Sequence, residues 1–140
     1  MPAAGYSGTP LARKLGVRAD SRLVLAAAPP GWTVPDLPGG VEYSSVARLD
    51  DLVPGPVDVC VAFCREARDV RQAADSFREC VRPAGALWFG WPRRAAGHRS
   101  DVTENLIREV VLPLGLVDVK VAAMDADWSG LKVVWRKERR

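Results

Sequence analysis

The sequence predicts an α/β fold: a single three-layer domain with a mainly parallel sheet and an antiparallel hairpin at one edge. Three observations predict it: apolar runs typical of buried strands at 22–28, 57–63 and 86–91, an amphipathic helical pattern between the last two, and an alternating strand pair near the C-terminus. A strand, a crossover helix and a second strand in that order are typical of parallel sheets. One domain over residues 1–140 is expected for this length.

The first part of the chain combines one short helix with irregular structure. Residues 1–20 form the predicted N-terminal arm, with a helix over 9–16 that begins at the cap residue Thr9 with Pro10 in its first turn. The strand at 22–28 follows. The prolines and glycines of 29–40 leave almost no room for a helix. A short second strand is predicted over 41–45.

The rest of the chain is more regular. The strand at 57–63 leads to an amphipathic helix at about 66–82, and a second helix is predicted at about 102–113. Asp101 and Glu104 have capping-box spacing at the start of that second helix. Alternating residues then predict a strand pair at the sheet edge, over about 117–123 and 131–136. The basic tail, 136–140, is expected to be frayed and solvated.

Composition excludes several classes of protein. The chain is 48% hydrophobic and 26% charged, and no apolar stretch has the length of a membrane span or a signal sequence. We therefore expect a cytoplasmic protein that does not contact membranes. The net charge of +3 comes mostly from dispersed arginines, so nucleic-acid binding is not expected. Cys60, Cys64 and Cys80 lack metal-type spacing and are expected to be reduced, buried thiols.

The candidate site follows the apolar run 87–91, which ends at Pro92 and is followed by two arginines. Open α/β sheets usually bind ligands at the carboxyl ends of their strands. The competing interpretation is a solvated loop whose arginines pair with nearby acids, and tryptophans that only cover the core. The residues assigned to a predicted site for a small phosphate or carboxylate anion are Trp32, Trp91, Arg93, Arg94, His98 and Trp128.

Two resemblances follow from these motifs. The strands at 22–28 and 57–63, the segment RPAGALWFGWP at 82–92 and the closing hairpin resemble the Rossmann-like core of class I methyltransferases. The whole chain also resembles a family of small uncharacterised bacterial proteins, a domain of unknown function found mainly in high-GC Gram-positive bacteria. The segments that carry this second resemblance are 4–11, 30–32, 91–94, 112–118 and 128–131.

The methyltransferase resemblance implies a glycine-rich turn after the first strand and an acid at the end of the second, which would hold ribose hydroxyls. Here the turn is AAAPPGW, with one glycine and no helix to follow. Glu42 is at the beginning of the second strand, and Asp50 lies well beyond it. This departure predicts that cofactor binding is absent.

Two functions remain open. The first is a non-catalytic Rossmann-like binding or regulatory protein that binds a small anion, needs no cofactor, and forms a homodimer through an exposed sheet edge or a tryptophan surface. The alternative is a minimal S-adenosylmethionine-dependent methyltransferase-like enzyme with a divergent cofactor site. The turn with a single glycine favours the first, so a binding protein is expected rather than an enzyme.

Overall fold

The computed structural model describes residues 9–140 and contains one six-stranded sheet. Within that range, no helix is both long enough and apolar enough to cross a membrane. Three short 3-10 turns occur at Arg94–Ala96, Leu112–Leu114 and Lys137–Arg139. The regular elements are α1 (Leu11–Leu15), β1 (Arg22–Ala26), β2 (Glu42–Val46), β3 (Val57–Phe63), α2 (Ala67–Phe77), β4 (Val81–Pro92), α3 (Glu104–Val111), β5 (Leu116–Ala123) and β6 (Trp128–Trp135).

The strand order in the sheet is β2-β1-β3-β4-β6-β5. The first four strands of this order are parallel, and β6 runs antiparallel to both β4 and β5. This arrangement confirms the predicted mixed α/β fold. The largest shifts from prediction are at the junction of α2 and β4, where α2 ends at Phe77 rather than near residue 82 and β4 begins at Val81 rather than Ala86. Val81 pairs with Val57 before an irregularity in the register, and such irregularities accommodate a proline like Pro83 inside a strand.

The two faces of the sheet are covered differently. On one face, here called the helical face, α2 and α3 pack their apolar sides against β1, β3, β4 and β6. On the other, here called the loop face, α1 and the segment 27–41 cover the sheet. The segment contains no helix or strand, as its prolines and glycines predict.

The residue that caps α3 differs from the sequence prediction, which places Asp101 at that helix start. The N-cap of α3 is Thr103, whose hydroxyl accepts from the backbone N–H of Leu106 at 3.1 Å. Asp101 instead accepts from the backbone N–H of Ala67, at the start of α2, at 2.8 Å. The capping-box spacing is therefore misleading, because the tertiary fold brings a second helix start within reach of the same carboxylate.

The two ends of the chain also correct the sequence prediction. The N-cap position of α1 is Pro10 rather than Thr9, and residues 4–8 of the N-terminal motif lie outside the described residues. The basic tail is exposed, as predicted, but it is attached rather than frayed: the Arg139 guanidinium is 4.2 Å from the Trp135 ring centroid, and Arg140 Nε donates to the Trp135 carbonyl at 2.7 Å. A cation over an indole face gives the tail a specific attachment.

The three thiols are free and buried, which confirms that prediction. All three belong to the core of the helical face. Burial raises the pKa of each thiol above its usual value, since a thiolate is poorly solvated in an apolar core. They are therefore inert packing groups at neutral pH.

Candidate functional site at the carboxyl edge of the sheet

The four parallel strands β1, β2, β3 and β4 all end at one edge of the sheet. That edge carries a cleft of about 530 Å³, here called the carboxyl cleft. It lies between the end of β1, the loop after β2 and the first turns of α2, where open α/β sheets bind their ligands. The residues that line it are Ala27, Arg48, Leu49, Asp50, Arg65, Arg68, Asp69 and Gln72.

Backbone and side-chain contacts hold the ends of β1, β2 and β3 in place around the cleft. Ala27 follows β1 with a positive φ of 58°, and its N–H donates to the carbonyl of Val46 at the end of β2. Arg65 follows β3 by two residues, and its Nη1 donates to the carbonyl of Ala27 at 3.0 Å. One guanidinium thus bridges the ends of two strands, and it keeps further N–H donors at the cleft.

The start of α2 forms a second wall of the cleft. Asp69 Oδ2 accepts from the backbone N–H groups of Arg65 and Glu66 at 2.9 and 3.0 Å. Ser100 Oγ donates to the Arg65 carbonyl at 2.9 Å. These bonds engage both the N–H and the carbonyl of Arg65, so the backbone of this residue is fixed without a ligand.

The loop after β2 brings an acid to the cleft. Asp50 forms two hydrogen bonds with Arg48, at 2.8 and 3.0 Å. The hydrogen bond from Arg48 lowers the pKa of Asp50, so its side chain is a carboxylate at neutral pH. β2 ends at Val46, so Asp50 follows this strand closely and lies at the same edge of the sheet.

Two of the predicted tryptophans lie beside the cleft on the loop face. Phe63, the last residue of β3, packs edge-on between Trp32 and Trp128, with ring centroids 4.8 and 5.0 Å away. Trp32 Nε1 donates to Asp125 Oδ2 at 2.7 Å, and Arg65 lies over the Trp128 ring at 5.2 Å. The two indoles therefore close the loop-face core next to the carboxyl cleft.

The other predicted site residues lie further along this edge. Trp91 packs against the helical face, opposite to Trp32 and Trp128. Arg93 Nη1 donates to the carbonyls of Asp125 and Ala126 at 3.2 and 3.3 Å. His98 Nε2 is 2.9 Å from Asp127 Oδ1, and Arg94 is exposed. The three tryptophans do not share one crevice, and an anion site at these arginines stays a prediction.

Sequence reasoning missed Arg48, Arg65 and Asp69. A usable signal existed for Arg65, because it follows a buried strand run and precedes a helix start, as Arg93 does. No such signal existed for Arg48. The sequence prediction sets Asp50 aside as the acid that lies too far beyond the second strand, whereas β2 ends at Val46 and Asp50 lies at the cleft.

Comparison with known proteins identifies the fold. No protein-family model and no curated protein matches the chain. Among solved structures, a SAM-dependent methyltransferase from Aquifex aeolicus matches with a TM-score of 0.60 at 9% identity, over 86% of this chain and 85% of that one. A TehB-like SAM-dependent methyltransferase from Corynebacterium glutamicum matches with a TM-score of 0.60 at 12% identity, over 95% and 91%.

The N-methyltransferase NodS from Bradyrhizobium japonicum also matches, with a TM-score of 0.54 at 18% identity, over 91% and 93% of the two chains. The chain therefore has the Rossmann-like α/β fold of SAM-dependent methyltransferases. Another neighbour is a complex of DhpI with SAH, at 12% identity and a TM-score of 0.58 over 91% and 82%. The expectation that no cofactor binds is thereby corrected, because this fold is a SAM-binding fold.

Proposed function

We propose that this protein is a minimal methyltransferase-like protein that binds S-adenosylmethionine in the carboxyl cleft, through a divergent cofactor site. The observation that carries the proposal is the set of charged groups at the ends of β1, β2 and β3. The carboxylate of Asp50 and the guanidinium of Arg65 stand on different walls of one cleft. This fold binds its cofactor at that edge.

The charges around the cleft match the chemistry of the cofactor. S-adenosylmethionine carries ribose hydroxyls, a sulfonium, an ammonium and a carboxylate. A carboxylate such as Asp50 accepts hydrogen bonds from hydroxyls and attracts cations, whereas a guanidinium such as Arg65 binds a carboxylate with two parallel N–H groups. Both kinds of partner are present, and a volume of about 530 Å³ is within the range of small-molecule sites.

The divergence lies in the turn after β1. Pro29 and Pro30 have no N–H, and no helix follows them, so this turn supplies few backbone donors to an anionic group. Ala27 adopts the positive φ that glycine usually provides. We therefore assign the ligand's carboxylate to arginine side chains, with Arg65 the best-positioned of them.

Bound S-adenosylmethionine supplies an electrophilic methyl group. The chain's own contribution is to hold the two ends of the ligand apart, with Asp50 at the ribose and Arg65 at the carboxylate. The packed rings of Trp32, Phe63 and Trp128 exclude water from the adjoining core. Exclusion of water strengthens the charged contacts made at the edge of that core.

Calorimetric titration with three probes tests the proposal: S-adenosylmethionine, S-adenosylhomocysteine and adenosine. Asp50→Ala is expected to weaken all three by about tenfold or more, because each contains the ribose. Arg65→Gln is expected to weaken the first two and to leave adenosine unchanged, since adenosine has no carboxylate. Retained adenosine binding also shows that the Arg65→Gln variant is folded.

Asp75→Ala is the matched control, because Asp75 is an exposed acid of α2 that does not line the cleft. Its affinities should equal those of the unchanged protein. Absence of binding heat with all three probes at millimolar concentration would overturn the proposal. Equal losses in Asp50→Ala and Asp75→Ala would overturn the assigned location.

A further inference from the structure

A pair of lysines faces each other across the hairpin at the other side of the molecule. Lys120 of β5 is directly opposite Lys132 of β6. Like charges at directly opposed positions destabilise a strand pair. Among the ion pairs of the described residues, none involves Lys120 or Lys132, so their positive field is available to an anion.

A bulge in β5 creates the pair. Asp118 is opposite Val133 and Lys120 is opposite Lys132, which leaves Val119 as an extra residue. Asp118 thus lies on the helical face, where it binds Arg108 Nε at 2.8 Å. Lys120 moves to the loop face, with its Nζ 6.0 Å from the Trp88 ring centroid. Without the bulge, the acid and this lysine would share one face.

The positive charge extends beyond the two lysines. Burial lowers the pKa of Lys132, and Lys120 and Arg18 lower it further by repulsion. The Lys132 ammonium also lies beside Gly16, 3.8 Å from where a Cβ of that residue would be. Three cations, one from the chain after α1 and two from the hairpin, therefore meet around Lys132.

Two of these cations, Arg18 and Lys132, line a cleft of about 330 Å³ at the amino ends of the parallel strands, here called the amino cleft. Its walls include the apolar side chains of Leu15, Val59, Ala86 and Val134. The acid that lines it, Asp58, is already bound by Arg82 Nε at 2.9 Å and by the Arg22 N–H at 2.8 Å. Residues 1–8 contain no acid. Arg18 and Lys132 therefore have no acidic partner along the described lining of this cleft.

We infer that the amino cleft binds a small organic anion, with its phosphate or carboxylate held by Arg18 and Lys132 and its apolar part against Leu15 and Val59. The volume is at the lower end of the range for small-molecule sites, which suits a monoester or a short organic acid. This site is at the opposite edge of the sheet from the carboxyl cleft, so it does not depend on the function proposed there.

Titration with phenyl phosphate, inorganic phosphate and benzyl alcohol tests the inference. Phenyl phosphate should bind at least about tenfold more tightly than the other two, because only it combines the charge with an apolar ring. Lys132→Met keeps most of the side-chain volume and removes the charge, and it should weaken phenyl phosphate by about tenfold or more. Lys137→Met, in the exposed tail, is the control and should leave the affinity unchanged.

The melting temperature provides an independent measurement of anion binding at the amino cleft. Without ligand, Lys132→Met should melt at a higher temperature than the unchanged protein, because the variant removes repulsion from Lys120 and Arg18. The increase in melting temperature with phenyl phosphate should disappear in the same variant. A folded Lys132→Met protein that still binds phenyl phosphate normally would overturn the inference. So would binding of a DNA duplex without binding of phenyl phosphate.

Discussion

The helical face is covered by two amphipathic helices, whereas the loop face is covered by a five-residue helix and irregular chain. A helix satisfies most of its own backbone groups, but irregular chain needs specific partners. On the loop face, two tryptophan N–H groups attach this covering to the rest of the molecule: Trp88 donates to the carbonyl of Leu15, the last residue of α1, at 3.1 Å, and Trp32 of the irregular chain donates to the Asp125 carboxylate at 2.7 Å. The comparison shows how indoles can substitute for regular structure in covering a sheet.

The largest expected effect comes from removing one buried phenylalanine from each face and comparing the two losses of stability. Phe63 and Phe77 are both fully buried, and only Phe63 lies between two indoles. Either substitution to alanine should reduce the free energy of unfolding by about 3–5 kcal/mol, because a large core side chain is lost. Only Phe63→Ala should also change the native tryptophan emission spectrum. Urea denaturation followed by circular dichroism and fluorescence measures both effects.

An unchanged emission spectrum in folded Phe63→Ala would contradict the role given to the indole pair. A loss from Phe63→Ala well below that from Phe77→Ala would show that the loop face is loosely packed and contributes less to stability.

The second test concerns the helical face, which contains all three thiols. Burial raises the pKa of Cys60 and Cys64, so the folded protein keeps both protonated at a pH where the unfolded chain has lost these protons. Their stabilising effect is complete below the unfolded thiol pKa of about 8.5. Above it, each thiol should lower the free energy of unfolding by about 1.4 kcal/mol per pH unit.

Urea denaturation at several pH values from 8 to 10 would measure this slope. The Cys60→Ala variant should lose its share of the slope, whatever its stability at pH 8. A pH-independent free energy of unfolding over this range would show that the thiols are accessible to water.

The smallest predicted effect is at the start of α3. Thr103→Ala should destabilise the protein by about 1 kcal/mol, because the helix loses its N-cap hydrogen bond. Asp101→Ala should instead destabilise the first turn of α2, because it removes the carboxylate that accepts from the backbone N–H of Ala67. Amide hydrogen exchange distinguishes the two, with faster exchange in α3 for the first variant and in α2 for the second. The reverse pattern would restore Asp101 as the cap of α3.

Much of the fold could be predicted because its signals are local. The apolar run 57–63 has the bounds of β3, and the spacing of apolar residues in α2 follows one helical face. The site was harder to predict. Trp32 and Asp125 are 93 residues apart, and Arg65 and Ala27 are 38 apart. No local pattern signals such contacts, so the sequence indicated an edge of the sheet but not the residues that meet there.

The sequence by itself determined the order of strands and helices, the parallel arrangement, the edge hairpin and the buried thiols. Apolar periodicity and helix stop signals set these features within a few residues. Only the tertiary structure decided which charges meet. The loop after β2 brings Asp50 to the carboxyl cleft, and one bulged residue, Val119, turns Lys120 towards Lys132. Side chains alternate along a strand with a period of two, so a single inserted residue exchanges the faces.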